Sequence, residues 1–150
     1  MKRAAVLLAG LLGIGLAHAG ATARIDASHA WIRVLPGTLP AGAYVVLRND
    51  GDQPVALTGA DSPAYGMAML HRSTQAGGNS RMAMVDALTI PAHGTQALAP
   101  GGYHLMLMDA KHPVRPGDTV RITLRFDDGD TLPVDFIARP ASALGDQGQP

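Results

Sequence analysis

Glycine and proline interrupt this chain at such short intervals that long helices are disfavoured. The 18 Gly and 11 Pro among 150 residues leave few stretches in which apolar residues repeat at helical spacing. What recurs between the breaks is short runs of alternating or β-branched residues, the pattern of an all-β sandwich or barrel. Candidate strands are Ala27 to Val34, Ala43 to Arg48, Val55 to Gly59, Met67 to Arg72, Met82 to Asp86, Thr95 to Leu98, Tyr103 to Met108, Thr119 to Phe126 and Thr131 to Ala138. Nine strands is the upper count. Asn49-Asp50-Gly51, Pro100-Gly101-Gly102 and Asp127-Asp128-Gly129-Asp130 supply turn residues that tolerate positive φ. The polar, Gly-rich segment Ser73 to Ser80 reads as a hairpin loop, with His71 and Met82 at its two feet. Residues 139–150 lack periodicity and read as a disordered tail.

The segment Tyr103 to Met108 separates its faces clearly. Tyr103, Leu105 and Leu107 fall on one side, the natural core side, and His104, Met106 and Met108 on the other. The strand rise puts the Cα atoms of His104 and Met106 about 6 to 7 Å apart. After Met1, every methionine lies between Met67 and Met108, in pairs two residues apart: Met67 and Met69, Met82 and Met84, Met106 and Met108. Each pair puts two thioethers on one side of a strand, and His71 and His104 fall in the same phase. Thioether sulfur and imidazole nitrogen without thiolate form a soft, uncharged donor set, which suits copper(I) best among biological metals.

The first residues fit an exported protein. Basic Lys2 and Arg3 precede an apolar run from Ala4 to Ala17, and Ala17-His18-Ala19 makes a small-x-small cleavage site, so residues 1–19 read as a signal peptide cleaved after Ala19. The run is too short and too rich in Gly and Ala for a membrane span, and none is expected after cleavage. Residues 20–138 then form one domain, because the remaining length suits one core and not two. Without Lys2 and Arg3, ten Lys and Arg face twelve Asp. Such a near-neutral chain lacks the basic surplus that nucleic acid requires. There is no cysteine, hence no disulfide framework, no thiolate nucleophile and no blue-copper ligand. There is no Glu either, which removes a common general base.

The order His71, ten residues, Met82, twenty-one residues, His104, one residue, Met106 resembles the signature of the PCuAC-type periplasmic copper(I) chaperones. Ala30-Trp31-Ile32-Arg33, Ala43-Tyr44 with Asn49, and Pro100-Gly101-Gly102-Tyr103-His104-Leu105-Met106-Leu107-Met108 also look like that family. The resemblance implies a cupredoxin-like Greek-key β-sandwich. It implies a Cu(I) site made by His71, Met82, His104 and Met106, and a monomeric periplasmic carrier that is not an enzyme. It further implies delivery to a copper-accepting protein, either cytochrome c oxidase subunit II with its binuclear copper centre or a thiol-containing assembly factor. The optional Met after the first His is Arg72 here, and residues 141–150 contain neither His nor Met, so a second strong site in the tail is not implied.

Plainer readings stand beside these. Methionine is a flexible core filler, and Met67, Met69, Met84 and Met108 are the first candidates for packing, with Met84 as the reserve ligand because it shares a face with Met82. His29, His93 and His112 read as a surface strand residue and two loop residues, without the spacing of a zinc site. Trp31 and Tyr44 read as core or rim aromatics. The competing function is an exported β-sandwich that binds another protein through its methionine patch. A hydrolase is disfavoured, since no Gly-x-Ser-x-Gly elbow and no His pair with a Glu base is present.

Overall fold

The computed structural model describes residues 24–145. The expected signal peptide, residues 1–19, and the last five residues of the expected tail lie outside the described residues. Ten strands run in chain order: β1 (Ile25–Arg33), β2 (Ala41–Asn49), β3 (Val55–Asp61), β4 (Tyr65–Ala76), β5 (Asn79–Met84), β6 (Leu88–Ile90), β7 (Thr95–Leu98), β8 (Tyr103–Ala110), β9 (Thr119–Phe126) and β10 (Thr131–Arg139). The fold is all-β, as the sequence predicts, with one strand more than the expected nine. The extra strand, β6, is only three residues long, bounded by Ala87 and Pro91. That is too short for its alternation of buried Leu88, exposed Thr89 and buried Ile90 to stand out.

The strand order is β5-β4-β8-β2-β1-β10-β9-β3-β6. The long β2 carries two partners in succession on one edge: β8 at Ala41 to Ala43 and β7 at Val45 to Arg48. All pairings are antiparallel except that of β1 with β10, where the first strand closes on the last. The connected strands roll over so that β3 packs against β4. Between the two layers lies a core of fully buried residues, among them Leu47, Leu57, Ile90, Leu105, Leu107, Ile122, Leu124 and Phe136. One buried polar side chain is structural. Asn49, at the end of β2, donates through its amide to the carbonyls of Gln53 and Ile90 and accepts from the Gly51 N–H, so the turn into β3 is pinned from inside.

Two local features decide which side chains reach the outer face of the β4-β8-β2-β1 layer. The first is a bulge in β1 between Ser28 and Trp31, at which His29 adopts φ 53°. Before the bulge Ala27 opposes core Leu47, and after it Ile32 opposes core Ala43. The inserted residue reverses the phase and turns Trp31 and Arg33 outward. A continuous strand over 27–34, as the sequence predicts, would have pointed Trp31 inward. The second is the β4–β5 hairpin. The expected loop over Ser73 to Ser80 is replaced by a ladder that continues to Ala76 and Asn79, and only Gly77 and Gly78 turn, with φ 59° and 77°. Two successive positive φ values match the twist of the flanking strands, so pairing extends through polar residues that are polar because the hairpin stands in solvent. His71 and Met82 are therefore not at the feet of a loop. Met84 stands opposite His71, and Met82 stands opposite Ser73.

Candidate metal centre

The outer face of this layer is where the soft donors collect. In β8, Leu105 and Leu107 are fully buried in the core, and His104, Met106 and Met108 turn the other way. The antiparallel register with β4 places His71 opposite His104, Met69 opposite Met106 and Met67 opposite Met108. On the other side of β8, Gly42 of β2 stands opposite Met106. The His71 and His104 rings are 5.9 Å apart between centroids and inclined at 70°. Met82, His104 and Met106 line one open depression, together with Arg33, Gly42, Tyr44 and Ser73. Of the four ligand candidates, three thus share this depression, and His71 adjoins it through its ring contact with His104.

The two imidazoles are set up differently. His104 is buried, and its Nδ1 lies 3.2 Å from the Gly102 carbonyl. A carbonyl only accepts, so the neutral ring carries its proton on Nδ1 and leaves the Nε2 lone pair for a metal. His71 has a buried Nδ1 with no hydrogen-bonding partner, an arrangement that costs free energy in the absence of an electrophile to meet it. Burial, followed by the neighbouring His104, holds the His71 pKa below its ordinary value of 6.5. It is therefore neutral at neutral pH, the state in which imidazole binds a metal. Among the described residues no three His or Asp side chains converge, so a cation held here has to draw on thioethers. Two imidazoles, one of them oriented by the Gly102 carbonyl, with Met82 and Met106 beside them form a donor set that fits Cu(I) and suits hard cations poorly.

An aromatic wall closes one side. Trp31 and Tyr44, both buried, pack with centroids 4.6 Å apart, and Tyr44 lies 6.5 Å from His104. The Arg33 guanidinium covers both rings, at 5.4 Å from Trp31 and 5.6 Å from Tyr44, while donating to the Ala143 carbonyl. Gly42 is required by this packing, because a Cβ there would meet the Tyr44 hydroxyl at 2.7 Å. Burial raises the Tyr44 pKa, against the opposing effect of Arg33, so the group stays a neutral phenol and offers no competing phenolate. The sequence signal for this wall is weak: it depends on the β1 bulge between Ser28 and Trp31, which the composition of residues 27–34 does not mark. The other three histidines among the described residues stand elsewhere. His29 is at that bulge, His93 pairs with Asp52 at 2.8 Å, and His112 lines a separate cavity near Lys111 and Pro113.

A family model described as "Putative lipoprotein LpqE-like" matches residues 25–138. The chain belongs to the LpqE-like family. "Putative lipoprotein Lxx21020" of Leifsonia xyli subsp. xyli (strain CTCB07) is 34% identical over 139 residues, covering 87% of this chain and 82% of that relative. The solution structure of CuI-DR1885 from Deinococcus radiodurans is 40% identical with a TM-score of 0.63, covering 82% of this chain and 83% of the other. The copper-bound PCuAC domain from PmoF2 shares the fold, with a TM-score of 0.64 at 24% identity over 78% of this chain and 93% of the other. The PCuAC-type resemblance of the sequence and its cupredoxin-like fold are thus both found, and the LpqE-like chain described here is one of that group.

Proposed function

We propose that this protein is an exported copper(I) carrier that holds one ion through His71, Met82, His104 and Met106 and hands it to a copper-accepting protein. The observation that carries this reading is the β4–β8 register, which sets His71 against His104 next to a depression lined by Met82 and Met106. The unpartnered Nδ1 of His71 and the Cu(I) form in which a 40% identical relative was solved support it. Two neutral His and two neutral Met leave the single positive charge of the ion uncompensated, which favours transfer to an acceptor bearing thiolates. The binuclear copper centre of cytochrome c oxidase subunit II is the acceptor we favour, with a thiol-containing assembly factor as the alternative. The family's lipoprotein names support export, and the periplasm is the compartment we assign. Among the described residues no helix is long and apolar enough to cross a membrane.

Met67, Met82 and Met84 are exposed, and an adaptable protein-binding patch would also look like this. Anaerobic titration with Cu(I) against a chromophoric chelator separates the two readings. A carrier takes up one tight equivalent, lost in His104→Ala and in Met106→Ala. A contact patch shows weak uptake that neither substitution changes.

A further inference from the structure

The soft donors do not end at the two histidines. Along the β4–β8 ladder, the His71–His104 rung is followed by Met69 opposite Met106 and then by Met67 opposite Met108. All of these point outward, because the intervening Leu70, Leu105 and Leu107 are buried in the core. Directly opposed residues have Cβ atoms about 4.5 to 5.5 Å apart, and the next residue on the same face follows about 6 to 7 Å along the strand. Flexible methionine side chains span such distances, so the sulfurs of Met67, Met69 and Met108 can meet at one point.

Packing does not account for these three residues. The core that the same strands enclose is filled from the opposite face. Met67 is 43% exposed, and Met69 and Met108 are half-buried. A sheet face turned to water ordinarily takes polar or β-branched side chains, and here two adjacent rungs carry four thioethers. What thioethers offer at such a surface is affinity for soft cations.

The geometry points to a second soft-cation site, formed by Met67, Met69 and Met108, that takes one Cu(I) or Ag(I) in addition to the ion at the histidines. The three donors are neutral sulfur with no proton to lose, so binding there does not compete with acidity over the physiological range. Lacking imidazole, the site binds more weakly than the histidine set. It needs neither His71 nor His104, so it stands independently of the four-ligand reading.

The test is titration of the protein with Ag(I), a redox-inert substitute for Cu(I), followed through carbon-13-labelled methionine methyl groups by two-dimensional NMR. In the native protein the first equivalent moves the Met82 and Met106 signals, and a second moves Met67, Met69 and Met108. The triple variant Met67→Leu, Met69→Leu, Met108→Leu keeps apolar bulk, retains the first phase and weakens the second at least about 100-fold, which corresponds to about 2.7 kcal/mol. The single Met67→Leu, at the most exposed of the three, weakens the second phase in the same direction and guards against a folding defect in the triple. A titration that ends after one equivalent, or a second equivalent that survives the triple substitution, overturns the proposal. Absence of the first phase alone refutes the four-ligand reading and leaves this one standing.

Discussion

Leu105 and Met106 are chain neighbours on opposite faces of β8, and truncating each to Ala should damage the protein in opposite ways. Leu105 is fully buried and lies between Leu70 of β4 and Ala43 of β2. A Leu-to-Ala change in a core costs about 2 to 5 kcal/mol, more where the walls cannot collapse. Here both flanking strands are held by ladders on each side, so about 3 to 4 kcal/mol is the appropriate part of that range. Small domains lose about 4 to 8 °C of Tm per kcal/mol and larger ones about 2 to 4 °C. For a domain of this size, a fall of roughly 10 to 20 °C follows. Met106 is only half-buried on the outer face, so Met106→Ala should cost about 1 kcal/mol or less. Thermal unfolding of the metal-free proteins, followed by circular dichroism, gives the stability order. Cu(I) competition at a temperature where both variants are folded should give the reverse order, with Leu105→Ala binding normally and Met106→Ala losing the tight equivalent. A Met106→Ala variant as destabilised as Leu105→Ala would refute the assignment of methionine to a donor face.

Three further outcomes are expected. Replacing Gly77 and Gly78 by Ala forces side chains into left-handed φ at a cost of about 1 to 2 kcal/mol per residue. Hydrogen exchange should quicken in β5 and the end of β4, and Cu(I) affinity should fall because β5 carries Met82, while Asn at the same positions should largely restore both. Asn49→Ala leaves the Gln53 and Ile90 carbonyls and the Gly51 N–H without their partner, and chemical denaturation should report a loss of about 1 to 3 kcal/mol with copper binding unchanged in the folded protein. The depressed pKa of His71 means that the unfolded chain binds more protons than the native one between that depressed value and the ordinary 6.5. The stability of the metal-free protein should therefore be undiminished by this group above pH 6.5 and decline as the pH falls through that window. The His71-dependent part of the Cu(I) affinity should hold down to that depressed value and weaken only below it, where protons compete for the native imidazole, and His71→Ala should abolish that part of both profiles.

Much of the site's layout was readable because a strand has a period of two. The alternation from Tyr103 to Met108 alone separates a leucine face from a donor face, and the register that sets Met106 against Met69 keeps the methionine pairs on that side. What could not be read is whatever depends on the phase between strands. Ser73 to Ser80 looks like a loop by composition, yet two glycines at positive φ let the ladder run on. The partner of His71 thereby becomes Met84, while Met82 lies two residues earlier in β5, nearer the turn. Trp31 faces the donor side only because one inserted residue at the β1 bulge inverts the alternation, and nothing in the local composition requires that insertion. The three-residue β6 escapes for want of length, although its two buried residues pack into the core.

Whether a mixed nitrogen and sulfur set holds the ion is read from X-ray absorption at the copper edge of the protein loaded with a single equivalent of Cu(I). The expected first shell is two imidazole nitrogens and two thioether sulfurs, with one nitrogen lost in His71→Ala or His104→Ala and one sulfur lost in Met82→Ala or Met106→Ala. A shell made of sulfur alone, or of nitrogen and oxygen alone, would contradict it.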